Sequence, residues 1–443
     1  MISKRWVLMA GLMAAGCDDA GGGTPGPVVD VGVDADAAVD AGDPYAAWPA
    51  DPEAVFPWVY TPEENLPPYA HTRWETETWP INGPESALYL RKLISHYTTA
   101  PQEVIQHFQA TGAAIPPLGA GVRLSLAGDI LYVGENWENF ARGAADLTTA
   151  DLRIANLETA VSNLSPSGKM GLPVRFNAPV EIFTALPFDL LQLNNNHTLD
   201  ADDEGAVATQ TEAEARGYRT TGLDRHAMVT AAGRKIAVLS YTWGVNRRDY
   251  TTTHELFVIP FGHVGEAIDL DLMARNITEA RTEGADFVVV LVHWGFEFEH
   301  FPDPHFLQLG RRMVALGADL VSGEGPHVVQ PAEICHVNQP EVVPGVGTCA
   351  VRTEDGVPRT AAILYSLGNF TNDVPDRIEV ETGIIARVSL EAGVGVTGMD
   401  WVPIVLRQGP PRVEPVADHL DDPEVAGESE RLNGHLGAGW RRP

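Results

Sequence analysis

The chain has 443 residues, 44% of them hydrophobic and 20% charged, with a formal net charge of −30 at pH 7. That length holds two or three average domains, or one large α/β domain with peripheral additions, and the apolar content is ample for a sizeable core. The charge argues against nucleic acid and anionic membrane surfaces as partners, and admits a polyanionic substrate only where a metal or arginine cluster supplies local positive charge.

The chain opens MISKRWVLMAGLMAAGC, with a basic start at Lys4 and Arg5, an apolar run over 6–15 and small residues before Cys17. This is the layout of a secretory signal, too short to span a bilayer as a stable anchor. Cysteine directly after small residues resembles a bacterial lipoprotein cleavage box, with Ala14 where leucine is more usual. Residues 1–17 are therefore expected to be a lipoprotein signal with Cys17 lipidated. The protein would be exported and lipid-anchored at the periplasmic or cell-surface face of the envelope; the alternative is a plain secreted protein. Export also lets Cys335 and Cys349 pair across a Pro/Gly-rich loop. Closing a loop of that length stabilises a fold by roughly 3 kcal/mol in the chain-entropy model.

Residues 18–44 are Gly, Ala, Val, Pro and Asp with almost no large apolar side chains, which predicts a disordered acidic linker. Residues 45–117 form a Pro/Trp-rich arm, with apolar spacing for two short helices within 86–112. From 118 to 410 short β-rich runs (122–127, 152–155, 190–193, 236–241, 287–292, 320–321, 361–366, 383–390 and 396–405) alternate with helix-like segments at 202–217, 266–284 and 304–317. Strand–helix alternation predicts an α/β sheet with helices on its faces and an antiparallel finish. Residues 411–443 are left as a C-terminal tail.

The strands end alike. VRLSLAGDILYVG delivers Asp129, DLRIANLETAV delivers Asn156 and Glu158, and DLLQLNNNHTLDADDEG delivers Asn196 and His197. VVVLVHWGFEFEH delivers His293 and then Glu297, DLVSGEGPHVVQP delivers Glu324 and His327, and AILYSLGNF delivers Asn369. Each group alone reads equally well as a turn residue, a core histidine or a solvated charge. Together, at the carboxyl ends of sheet strands where ligands sit, they form a donor set for a hydrolytic metal centre. Carboxylates and an amide oxygen supply hard ligands, and histidines supply nitrogen.

GDILYVG, ADLRIANLETAVS, LQLNNNHTLDADDEG, VVVLVHWGFEFEH, GADLVSGEGPHVVQPAE and ILYSLGNF, over about residues 121 to 374, resemble the poly-γ-glutamate capsule-synthesis family CapA. The resemblance implies a four-layer αββα sandwich similar to the calcineurin-like metallophosphoesterases. It also implies a divalent cofactor (Mn, Fe or Zn; one or two ions) held by Asp129, Asn156, Glu158, Asn196, His293, Glu324 and His327. His197 would donate a proton or hydrogen bond, Arg175 would hold an anionic group, and Glu297 and Asn369 would complete the pocket. The sequence departs from the pattern twice. Leu131 stands where the phosphoesterases carry histidine, and Gly323-Glu324-Gly325-Pro326-His327 replaces Gly-His-His-Pro-His.

The implied function is a surface-anchored protein for synthesis, attachment or processing of an anionic extracellular polymer, with other capsule-synthesis proteins as partners. Two alternatives stay open. One is a general metal-dependent phosphoesterase, and the other is a non-catalytic binding or assembly component with a degenerate site.

Overall fold

The computed structural model describes Ala100, residues 102–108 and residues 116–436, except 133, 135–136, 146, 171–174, 247–251, 253, 258, 260–268, 296 and 373–376. The signal with Cys17, the linker 18–44 and nearly all of the arm lie outside the described residues.

In chain order the elements are α1 (Gln102–Phe108), β1 (Val122–Ile130), β2 (Leu152–Leu157), β3 (Ala160–Val161), β4 (Gly168–Met170), β5 (Arg175–Ala178) and β6 (Leu190–Gln192). Then come α2 (Asp202–Ala215), β7 (Arg219–Thr221), β8 (Ala227–Ala231), β9 (Arg234–Thr242), α3 (Asp271–Thr282), β10 (Phe287–His293), α4 (Pro304–Leu316) and β11 (Leu320–Glu324). The rest is β12 (Ala332–Val337), β13 (Thr348–Val351), β14 (Arg359–Leu364), β15 (Asn369–Thr371), β16 (Thr382–Glu391), β17 (Gly395–Arg407), β18 (Arg412–Pro415) and α5 (Pro423–Leu436).

The main strands run in the order β7-β6-β2-β1-β16-β17-β14-β11-β10-β9-β8. In the middle of that order β14 meets β17 at one register pair, Thr360↔Gly395. The sheet therefore folds into two leaves, and side-chain alternation shows how they pack. On β10, Phe287, Val289 and Leu291 point inward to meet Leu124 and Leu126 of β1 and Ile384 of β16. Val288, Val290 and Val292 point outward onto Met273 and Ile277 of α3 and Leu309 and Met313 of α4. The outer face of the other leaf, with Ala127 and Ile130, packs on Ile182, Phe183 and Ala213. Three apolar layers thus separate four layers of structure, the αββα sandwich. Because β10 is covered on both faces, its sequence FVVVLVH is a continuous apolar run rather than an alternating one.

Local signals set the helices. Asp303 caps α4 by accepting from His305 N–H at 3.0 Å, Pro304 occupies its first turn, and Gly317 ends it at φ +119. Residues 412–436, expected as part of a tail, continue the fold. β18 pairs with β17, and α5 puts Leu432 and Leu436 into the core between the leaves. Cys335 and Cys349 are disulfide-bonded neighbours on β12 and β13, so neither sulfur is available to a metal.

One buried ion pair ties the helical layer to the sheet. Arg311 of α4 donates from Nε to Glu333 Oε2 on β12 at 2.8 Å, Tyr365 O–H donates to the same oxygen at 3.1 Å, and His107 Nε2 lies 2.7 Å from Oε1. Burial alone would raise the Glu333 carboxyl, but Arg311 and His107 hold it down to about 2. Glu333→Ala strands the guanidinium and is expected to lower stability by about 3–5 kcal/mol at neutral pH. A folded-state pKa below the unfolded one makes this contribution complete above about pH 4.5, and it is lost as pH falls toward 2. The gap between variant and wild type in denaturant midpoint should narrow over that interval.

Candidate metal centre

The parallel strands of each leaf end side by side, and register decides which side chains meet. Asp129 of β1 stands opposite Asn156 of β2 and Asn369 of β15. On the other leaf, His293 of β10 stands opposite Glu324 of β11. The approach is tight: a Cβ on Gly128 would lie 1.7 Å from Gly368 O, so only glycine lets β1 and the 366–369 segment close around Asp129.

Asn156 Nδ2 donates to Asp129 Oδ1 at 2.7 Å and lies 3.3 Å from His293 Nδ1. His327 Nδ1 is 3.2 Å from Asp129 Oδ2 and 3.0 Å from Asn369 Oδ1, while Gly325 N–H donates to Asp129 Oδ2 at 3.2 Å. Glu158 lies between three imidazoles, with His293 Nε2 at 3.5 Å, His327 Nδ1 at 3.8 Å and His197 Nε2 at 3.9 Å. His197 is aimed by its other nitrogen, since Nδ1 donates to Asp200 Oδ2 at 2.6 Å. That turns Nε2 toward Glu158 and toward Asn246 Nδ2, 3.4 Å away.

Charge is the salient property of this pocket. Asp129, Glu158, Glu297 and Glu324 are all buried. Among the described residues, both Glu158 carboxylate oxygens and Glu324 Oε2 accept no hydrogen bond, and neither does buried Asn196 Oδ1. Burial first, and the Asp129 charge second, push Glu158 and Glu324 well above the usual carboxyl range. Burial likewise presses His293 down to about 3, which keeps its ring in the neutral, metal-ligating form. Asp129 goes the other way: burial would raise it, but the His327 hydrogen bond and charge, together with the Asn156 hydrogen bond, hold it low. Unpartnered buried carboxylate oxygens are costly unless a cation meets them. Ligand atoms of Asp129, Glu158 and His293 lie within 4.8 Å of one another. They offer the carboxylate oxygens and imidazole nitrogen that a divalent ion takes as ligands, at bonds of about 2 Å.

Of the residues expected from the sequence, Asp129, Asn156, Glu158, His197, His293, His327 and Asn369 are therefore joined by direct contacts. Glu324 and Glu297 act on the cluster through their charge. Asn196 is anchored by its carbonyl, which accepts from Asn246 N–H at 2.8 Å. Arg175 is half-buried at the head of β5 and forms no ion pair with these carboxylates among the described residues. Its neighbour Phe176 has the contact, donating N–H to Asp200 at 2.6 Å with its ring 4.7 Å from that of His197. Three supporting residues had no role assigned from sequence. Asn195 donates to Asn156 Oδ1 at 3.0 Å, Asp200 orients His197, and Asn246 reaches it from the β9 loop. The His-x-x-Asp spacing was a readable signal for Asp200, whereas nothing local marks Asn246.

A family model, Bacterial capsule synthesis protein PGA_cap, matches residues 109–374. The chain belongs to this family. Among its relatives, "Capsule biosynthesis protein CapA" of Bacillus anthracis is 25% identical over 248 residues, covering 54% of this chain and 52% of the relative. "PGA biosynthesis protein CapA" of Bacillus subtilis (strain 168) is 28% identical over 202 residues, covering 44% and 45%. The chain spans about half the length of the curated relatives it matches. Among solved structures it is similar to a 5'-nucleotidase precursor from Thermus thermophilus, with 11% identity, TM-score 0.39, and 71% of this chain and 58% of that chain covered. The Thermus thermophilus sulfate thiohydrolase SoxB gives 15% identity, TM-score 0.30, and 67% and 44% coverage.

Both departures from the family pattern have a local structural setting. Leu131 is buried, and its carbonyl accepts from Thr371 Oγ1 at 2.8 Å. Gly325 has φ +110, and a Cβ there would lie 2.6 Å from Trp294 O and 3.2 Å from His293 Nε2, so a histidine does not fit this backbone. Asp200→Ala should leave His197 Nδ1 and Phe176 N–H unpaired and destabilise the protein by about 1–3 kcal/mol. Imidazole ¹⁵N NMR should then show His197 losing its single Nδ1–H tautomer.

Proposed function

We propose that this chain is an exported, lipid-anchored capsule-synthesis protein that acts on an anionic extracellular polymer through a divalent-metal hydrolase or transferase site. The single observation that carries the reading is the Glu158 carboxylate, which accepts no hydrogen bond among the described residues and is buried beside Asp129 and His293 where strand ends of both leaves meet. Asp129, Glu158 and His293 would hold the ion, with Asn156, Asn196, Glu324 and His327 around it. A bound divalent ion supplies an activated water and polarises an acyl or phosphoryl oxygen. The chain's own residues do the rest. Asn156 and Asn195 fix the carboxylate geometry, and Asp200 keeps the His197 Nε2 edge facing the pocket. From there His197, when it carries a second proton on Nε2, would give that proton or a hydrogen bond to the departing atom or developing oxyanion. Arg175 would recognise an anionic group at the mouth, and lipidation of Cys17 would keep the enzyme at the envelope.

Leu131 and Glu324 favour a second reading, a binding or assembly component that holds a cation without turnover. Metal analysis of the purified full-length protein separates the readings when paired with assays on capsule polymer and on a generic phosphodiester. The expected result is stoichiometric divalent metal in wild type and loss of it in Glu158→Gln. Polymer turnover should fall about 10²–10⁴-fold in His197→Ala with metal content unchanged. Metal without turnover of either substrate selects the binding role, turnover of the phosphodiester alone selects a general phosphoesterase, and no metal removes the site reading altogether. Cys17→Ser should move the protein from the membrane to the soluble fraction.

A further inference from the structure

His327 sits at φ +59, in the left-handed region that a non-glycine residue holds only where its surroundings over-determine it. Upstream, Phe298 N–H donates to Pro326 O at 2.8 Å, and Val328 packs with Phe298 and Val380. Downstream, Gln330 N–H donates to Ser366 O at 3.1 Å, and Gln330 Nε2 donates to Glu299 O at 2.7 Å. Between these anchors Val329 bridges to Leu367, and its carbonyl accepts from Arg431 Nη1 at 3.3 Å.

Arg431 belongs to α5, beyond the residues 109–374 that define the family match. Its guanidinium is itself held in place. Nε and Nη2 donate to buried Glu428 at 2.8 Å and 2.5 Å, and Nη1 lies 3.0 Å from His435 Nδ1. The His435 ring in turn lies 4.6 Å from Phe301, on the loop that follows His293. Burial and the adjacent Arg431 charge keep this imidazole neutral, so its Nδ1 accepts from the guanidinium. One helix thus touches the loops behind both histidines.

We propose that Arg431 is a positioning residue of the metal centre, bracing the strained His327 turn through the Val329 carbonyl. The proposal rests on the reading of His327 as part of that centre. It does not require Arg431 to approach the ion.

The test compares full-length wild type with Arg431→Ala, Arg431→Lys and Val425→Ala. Val425 seats the other end of α5 against Val405 and Val416, so its truncation reports destabilisation alone. Hydrogen exchange of the amides of residues 325–331 and calorimetric titration with Mn²⁺ are the readouts. Arg431→Ala should speed that exchange about tenfold and weaken Mn²⁺ binding about 10–100-fold, with Arg431→Lys restoring most of both. Val425→Ala should lower Tm and change neither. Wild-type exchange and affinity in Arg431→Ala, or the same changes in Val425→Ala, would overturn the brace. If wild type takes up no Mn²⁺, the reading of the centre fails and Arg431 loses its metal role, while the exchange comparison still decides whether it braces the His327 turn.

Discussion

The controlling constraint is negative charge confined where water does not reach. Glu158 and Glu324 present buried oxygens with no donor among the described residues, next to an Asp129 that already uses the His327 and Asn156 hydrogens. Such an arrangement is unfavourable for the bare polypeptide, because desolvation and like-charge repulsion both oppose ionisation. Its neighbours are arranged around that penalty. His293 is kept neutral, Asn156 is oriented by Asn195, and His197 by Asp200. That penalty is what the proposed cation would relieve.

The architecture makes the constraint tolerable. Parallel strands deliver their last side chains to one rim, and apolar layers on both faces of each leaf leave those side chains no other direction to settle. Support extends outward in tiers. Trp294, directly after His293, donates to Tyr365 O at 3.0 Å, and the Tyr365 hydroxyl binds the Glu333–Arg311 pair. The rim is therefore anchored to helix α4 through a buried polar chain in which each member has its partner.

Much of this was legible in the chain itself. The β10 run FVVVLVH announced a strand covered on both faces, and β1, β2 and β11 each ended in a donor beside a small residue, so their convergence was readable without coordinates. The short strands β7, β8, β12 and β13 were not, because three to six residues carry too little periodicity to separate strand from loop. Residues after 411 read as a tail for a related reason: the apolar stripe of α5 (Val425, Leu432, Leu436) is interrupted by Glu428 and His435, whose burial depends on Arg431. Asn246 was illegible because it reaches His197 through tertiary folding alone, and no spacing encodes that. The pairing of Cys335 with Cys349, by contrast, needed only an oxidising compartment and a shared loop.

The two leaves meet at Thr360↔Gly395, the ends of β14 and β17 that point away from the rim, and again at the rim, where β15 follows β14 and pairs with β1. At the rim, Asp129 and Glu158 come from one leaf and His293 and Glu324 from the other. The carboxylates and imidazoles thus face one another across the space between the leaves, with β15 pinning the leaves together beside Asp129. Whatever sets the thickness of the filling, Leu124 and Leu126 against Val289 and Leu291, also sets the gap those edges must span. Shaving a methyl from that interior is then a change in the spacing of Asp129, Glu158, His293 and Glu324 made from the inside.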